Sequence, residues 1–414
     1  YRSTAPWMQP TTSQEAIMNR PRYEAADVFR QYGEAYCQKY SLSPEQLAVF
    51  NLIKICRTPV LGGHLEKCDH CSFERPAYNS CRNRHCPKCQ SLAKEKWLND
   101  RRSELLPVGY FHLVFTIPHL LNPLILCNKK ILLGFLFEAV NEVLTTFAKD
   151  RQWRLSGRIG FIAVLHTWSQ TLMDHFHLHC LIPAGVLAFD EDRWVNARRK
   201  YLFRNESLAK AFRRIYLRKL RLAHDRGDLI FPGKAEVFQS SEAFARLLFE
   251  VGCKKWIVFA KRPFATPDKV LAYLGGYTHR VAISNHRIVS VHEGKVTFTY
   301  LDRSDQNKKK QMTLDAVEFI RRFLLHVLPD GFMKIRYYGF LSHRHKKRCL
   351  ALIRALINPK RVYPEKVSET TMAIIERLTG RDINCCPQCG CRIRSYPLPL
   401  KDSPTSRMEI MDTS

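Results

Sequence analysis

The chain has 414 residues, 45% of them hydrophobic, and a formal charge of +28 from 66 Lys and Arg against 38 Asp and Glu. That apolar content excludes wholesale disorder and, at this length, predicts two or three packed units. The charge exceeds what solubility needs and predicts a polyanionic partner, with nucleic acid ahead of an anionic membrane. The 15 cysteines, concentrated in CxxC pairs, exclude a disulfide framework and predict a reducing compartment.

The start, YRSTAPWMQP, has neither an initiator Met nor a signal-type apolar core, so residues 1–26 are expected to be a poorly defined amino end. From Asp27 to Ile55 apolar residues recur at helical spacing, with Ser43-Pro44 as stop and restart, which predicts two short helices. A cysteine-rich stretch follows from Cys56 to Gln90. GYFHLVFTIP (109–118) reads as a buried strand, and 130–149 as an amphipathic helix. Lys129, Lys130 and Glu138 interrupt the most apolar region, so no membrane span is expected and the location is taken as cytoplasmic, near the nucleoid. RIGFIAVLHTWSQTL and HFHLHCLIPAGVLAF are two strand-like runs, and a strongly basic helix spans Glu206 to His224. The alternation between Gly109 and Ile288 predicts an α+β domain on a central, mostly antiparallel sheet. A strand pair in IVSVHEGKVTFTYLD, turning at Glu293-Gly294, extends or flanks it, and from Leu314 the chain reads as helical and basic until the cysteines at 385–391. The expected domains are a cysteine module (27–100), the α+β domain (105–300), a helical basic region (301–380) and a cysteine-containing tail (381–414).

Two knuckles, Cys68-Asp-His-Cys71 and Cys86-Pro-Lys-Cys89, have the spacing that places four thiolates around one Zn²⁺. Cys56, His64, Cys81 and His85 are candidates for a second site, Cys81 and His85 having workable i, i+4 spacing. With Arg82, Arg84 and Lys88 nearby, the expectation is a DNA-binding or docking module. Cys386-Pro-Gln-Cys389, beside Cys385 and Cys391, is a further knuckle that either completes a zinc site or belongs to an unstructured tail.

In DHFHLHCLIPAG, strand alternation projects His177 and His179 to one side while Leu178 points into the core. Two imidazoles on one face make half of a metal site. His166 on the preceding strand is the expected third ligand, with Gln170 and His175 as alternates, and the ion is expected to be Mg²⁺ or Mn²⁺, polarising a phosphate oxygen. In AYLGGYTHRVAISNHR, Tyr273 and Tyr277 lie four apart and so share a helix face. A phenol with a pKa near 10 attacks a phosphodiester only where the phosphate is polarised and the proton has an acceptor.

Taken together and in order, GGHLEKCDHC, YNSCRNRHCPKCQ, FHLVFTIPH, HTWSQTL, HLHCLIPAG, YLGGYTHRVAISNHR and IRYYGFLSHRHK make the span from about Val28 to about Arg348 resemble the two-tyrosine HUH transposases of rolling-circle insertion sequences. The resemblance implies an HUH catalytic domain over 105–300 behind a transposase zinc-binding domain, with His177, His179 and His166 on the metal and Tyr273 and Tyr277 as nucleophiles. It implies cleavage and rejoining of single-stranded DNA at element ends and target through a 5′-phosphotyrosine. Arg280 and Arg287 are candidates for phosphate contacts, and host replication proteins for further partners. The chain departs from the family pattern at Phe176 (usually Pro), Ala184 (usually Gly) and Gly275-Gly276, where an Arg is frequent. Two helical glycines cost roughly 1 kcal/mol each relative to alanine, which predicts a looser nucleophile helix and slow turnover. The competing expectation is a catalytically inactive zinc-containing DNA-binding protein.

Overall fold

The computed structural model describes residues 21–153, 155–197, 202–264, 270, 275, 281–360, 362–363 and 369–398. Helix α1 (Ala25–Lys39) begins where Asp27 accepts the Glu24 N–H. Helix α2 (Pro44–Ile55) begins where Ser43 and Gln46 cap each other's backbone and Pro44 presets the first turn. A hairpin of β1 (Gly63–Cys68) and β2 (Glu74–Tyr78) leads to α3 (Pro87–Arg102). There follow β3 (Tyr110–Thr116), α4 (Asn122–Cys127), α5 (Lys129–Lys149), β4 (Gly157–Arg158), β5 (Gly160–Trp168), β6 (Asp174–Pro183), β7 (Gly185–Ala188) and β8 (Trp194–Asn196). Then come α6 (Asn205–Asp225), α7 (Ser241–Cys253), β9 (Ile257–Phe264), β10 (Ile288–His292), β11 (Lys295–Asp302), β12 (Lys308–Asp315) and α8 (Ala316–Leu325). The described chain ends with β13 (Ile335–Gly339), α9 (Lys346–Ile357), α10 (Thr371–Thr379) and β14 (Ile393–Leu398).

The chain forms two compact units that interleave along the sequence, one of residues 1–96, 279–324 and 368–414, the other of 97–278 and 325–367. The second unit carries a five-stranded sheet in the order β13-β5-β6-β3-β9, antiparallel at every pairing. Alternation splits each strand between two faces. Phe111, Leu113, Phe115, Phe161, Ala163, Leu165, Phe176, Leu178 and Cys180 all enter one buried core with the apolar side of α5 and α6. Helix α5 is long and apolar enough to cross a membrane by length and composition. Here Leu132, Leu133, Leu136, Phe137, Val140, Val143 and Leu144 are instead buried in that core.

Two expectations change in this unit. HFHLHCLIPAGVLAF is one apolar run but two strands in different sheets: β6 lies in the central sheet and β7 pairs with β4 and β8. The region expected to be helical from 301 to 380 supplies β13, whose Ile335 to Gly339 pair with Val164 to Gly160 at the edge of the central sheet. Backbone pairing satisfied by β5 outweighs the helical composition around it.

In the first unit, Phe29 packs its ring on Phe50 and edge-on to Phe323, joining α1, α2 and α8. β10, β11 and β12 form their own antiparallel sheet, and the expected turn is present, with positive φ at Glu293 (46°) and Gly294 (73°). This pair therefore does not extend the central sheet. The tail is not a separate unit either: β14 pairs along β1, from Gly63 opposite Leu398 to Cys68 opposite Ile393.

A candidate histidine metal centre and two cysteine tetrads

On the opposite side of the central sheet from its main core, His166 stands directly across from His177 in the β5–β6 pairing, and His179 lies one step along. Their ligand atoms lie within 4.8 Å of one another. All three are buried, at 3%, 7% and 8% exposure, so any charge or ion they hold is shielded from water. Ring centroids are 5.4 Å apart for His166 and His177, 4.5 Å for His166 and His179, and 4.9 Å for His177 and His179. Of the alternates, His175 stands beside the triad without joining it: its ring centroid lies 4.7 Å from that of His177, and its Nδ1 lies 2.9 Å from His119 Nε2.

Neighbours fix how these rings face. His177 Nδ1 lies 2.7 Å from the His175 carbonyl, so it carries the proton and donates, and Nε2 becomes the ligand atom. His179 Nδ1 lies 2.8 Å from His112 Nε2, and the two rings stack at 11°. His112 comes from β3, two residues before Val114, which pairs with His179. Trp168 stacks on His166 with centroids 5.0 Å apart. Beyond it His326 is fully buried, Nε2 meeting the Leu172 carbonyl at 3.1 Å and Nδ1 meeting Thr167 Oγ1 at 3.3 Å. Burial pulls its pKa down to about 3, so it serves as a neutral strut. Sequence inspection passed over His112 and His326. For His112 the available signal was its place in FHLVFT, two residues from Val114 and so on the same strand face.

Tyr273, Tyr277 and Arg280 lie outside the described residues. Within the same segment Val270 is fully buried against Tyr110 and Leu181, which share the histidine-bearing sheet face by alternation, and Gly275 is helical. Arg287 is engaged internally: its Nε donates to the Thr299 carbonyl at 2.7 Å and its guanidinium lies over Phe298.

The cysteines sort differently from the order in which the knuckles occur. Cys86 and Cys89 join Cys56 and Cys81, with Sγ separations of 3.6–3.7 Å along Cys86–Cys56, Cys56–Cys89 and Cys81–Cys89. Cys68 and Cys71 join Cys386 and Cys389 instead. The expected set of Cys68, Cys71, Cys86 and Cys89 is thus replaced by two all-cysteine tetrads. Hairpin β1–β2 carries the first knuckle toward β14 and away from the start of α3, which holds Cys89. His64 and His85 belong to neither tetrad: His64 Nε2 lies 3.5 Å from Glu66, and the His85 backbone N–H donates to Asn83 Oδ1 at 2.8 Å. In the first tetrad the contacts with Cys81, Cys86 and Cys89 hold the Cys56 thiol well below its ordinary range.

Many cations in the basic clusters already have partners. Arg218 pairs with Glu142 at 2.7 Å, Arg213 donates to the Gly252 carbonyl at 2.8 Å, and Lys308 and Lys310 face Asp302 and Asp305. Lys346 pairs with Glu104 and Arg348 with Glu191. The exposed ion pairs among these contribute little to stability, and a polyanion can compete for their cations.

Comparison with known proteins gives this geometry its context. Residues 28–117 match the family model described as "Transposase zinc-binding domain" and residues 160–349 the one described as "Putative transposase". The "Putative transposase y4qJ" of Sinorhizobium fredii (strain NBRC 101917 / NGR234) is 46% identical over 400 residues, covering 96% of this chain and 100% of that protein. The "Transposase for insertion sequence element IS801" of Pseudomonas savastanoi pv. phaseolicola is 30% identical over 292 residues, covering 70% of this chain and 68% of that protein. No solved structure matches the chain. The class is therefore that of transposases, enzymes that cut DNA and transfer strands, and DNA is the partner that the +28 charge meets. Within that class, the chain belongs to the insertion-sequence transposase family that carries an IS91-type zinc-binding domain. That domain match and an all-cysteine tetrad inside it point to structural zinc.

Proposed function

We propose that this transposase works by the two-tyrosine HUH route, cutting and rejoining single-stranded DNA through a 5′-phosphotyrosine during rolling-circle transposition. The observation that carries the proposal is the buried triad His166, His177 and His179, three imidazoles converging on one sheet face. Three neutral nitrogens suit a divalent ion that keeps open positions for substrate. Mg²⁺ or Mn²⁺ held there would supply Lewis-acid polarisation of a phosphate oxygen. The chain's own groups do the rest. The His175 carbonyl holds His177 in one tautomer and His112 holds the orientation of the His179 ring, so little reorganisation is needed when the phosphate arrives. Tyr273 or Tyr277 attacks phosphorus through Oη, losing its phenolic proton. The P–O3′ bond breaks, and the departing 3′ oxygen takes up a proton. One phosphodiester is exchanged for another, so no ATP is consumed. The second tyrosine cuts at the other end or target, and a free 3′-OH reverses the step to join strands. Val270, packed on the histidine-bearing face three residues before Tyr273, supports delivery of the tyrosine segment to that face. The Cys56, Cys81, Cys86 and Cys89 tetrad would hold the structural zinc of a DNA-binding module.

The test is incubation with single-stranded oligonucleotides from the element ends and Mg²⁺ or Mn²⁺, followed by denaturing electrophoresis. A protein–DNA adduct is expected that the joint change Tyr273→Phe and Tyr277→Phe abolishes. An adduct that survives this change would sink the assignment of nucleophiles. DNA binding with no adduct at all would favour the alternative, an inactive zinc-containing DNA-binding protein.

A further inference from the structure

The second tetrad lies half outside the region that matches a zinc-binding domain. Cys68 and Cys71 fall within residues 28–117, whereas Cys386 and Cys389 lie more than 300 residues further along. We propose that these four thiolates hold a second structural zinc ion, closed from opposite ends of the chain, and that the carboxy-terminal knuckle and β14 are thereby an integral part of the zinc-binding module.

Distances carry the first part of the argument. Zn–S bonds of about 2.3 Å in a tetrahedron put neighbouring sulfurs about 3.8 Å apart. Cys68 Sγ lies 3.4 Å from Cys389 Sγ, and Cys71 Sγ lies 3.6 Å from Cys386 Sγ. A disulfide needs about 2.05 Å, and all four sulfurs lie within 4.8 Å of one another as a tetrad, not as two pairs. The two loops are also built alike. In each, the backbone N–H two residues beyond the first cysteine points at its sulfur: His70 N–H to Cys68 Sγ and Gln388 N–H to Cys386 Sγ, both at 3.4 Å. Such N–H groups stabilise thiolates. Gly390, at φ +76°, turns the chain directly after Cys389.

Energetics supply the second part. The β14-β1-β2 sheet has no buried residue in any of its three strands. Three strands without a hydrophobic face are not stable by packing alone, yet β14 pairs with β1 over six residues. A metal bond set at the end where Cys68 meets Ile393 fixes that register and provides what the missing core cannot.

Zinc content of the purified full-length protein, measured by native mass spectrometry and elemental analysis, tests this. Two zinc ions per chain are expected. Cys386→Ser with Cys389→Ser should leave one, Cys68→Ser with Cys71→Ser should leave one, and all four changes together should still leave one, because both pairs serve the same ion. Cys386→His keeps a ligand and should retain two, which separates loss of a ligand from loss of fold. One zinc in the unmodified protein, two in the Cys386/Cys389 variant, none in the fourfold variant, or a Cys68–Cys389 disulfide in non-reduced peptide maps would each overturn the proposal.

Discussion

Replacing His112 by Leu isolates the contribution of a residue that supports the triad without joining it. His112 and His179 are both buried, at 3% and 8% exposure, and their rings are stacked with a 2.8 Å Nε2 to Nδ1 contact. If Nε2 of His179 faces the ion, its Nδ1–H donates to His112 Nε2. Leucine fills much of the same volume but accepts no hydrogen bond, so that N–H is left in an apolar setting and the ring is free to turn. Loss of such an outer partner lowers metal affinity by about 10- to 100-fold, or about 1.4–2.8 kcal/mol. Manganese binding followed by electron paramagnetic resonance reads this directly. Adduct formation should fall at limiting Mn²⁺ and recover as Mn²⁺ is raised, and His112→Gln, which keeps a polar partner, should regain part of the affinity. Unchanged Mn²⁺ affinity in His112→Leu, even with a lowered melting temperature, would refute the supporting role and leave His112 as packing.

Three further outcomes follow from the same unit. Gly339 has φ +59°, and a Cβ there would lie 1.6 Å from the Ile159 carbonyl oxygen; Gly339→Ala should cost about 3 kcal/mol or more, seen as a melting point lower by about 6–12 °C. Leu178→Ala empties a fully buried position between the two histidines and should cost about 2–5 kcal/mol, with chemical denaturation midpoints as the check. His326 has its pKa depressed to about 3 by burial, so the unfolded chain binds the proton first as pH falls. The stability it contributes is full above about pH 6.5 and is lost progressively toward pH 3. Melting curves between pH 4.5 and 7 should be less pH-dependent in His326→Gln than in the unmodified protein, and an identical dependence would contradict this assignment.

Strand alternation alone placed His177 and His179 on one face, and the neighbouring strand-like run made His166 the natural third group, because a period of two is a local property of any extended chain. The helix start at Ser43-Pro44 and the turn at Glu293-Gly294 were equally legible, since capping and positive φ depend on adjacent residues. His112 was not. Its contact with His179 follows from the pairing of β3 with β6 across 67 residues of chain. Strand β13 was hidden for a related reason: its pairing partner β5 lies more than a hundred residues earlier, and its surroundings read as helical.

The cysteines draw the same line more sharply. Their spacing established that metal knuckles exist, because CxxC geometry is set within four residues. Which knuckles share an ion is a matter of where separate hairpins are delivered, and the structure brings Cys386 and Cys389 to Cys68 and Cys71 while Cys86 and Cys89 close with Cys56 and Cys81. The sequence by itself determined the chemistry available, namely thiolates, imidazoles, phenols and a large positive charge. Tertiary structure decided the partners, because Cys68, Cys71, Cys386 and Cys389 converge only after β14 has paired with β1, and the three histidines only after β5 and β6 have set their register.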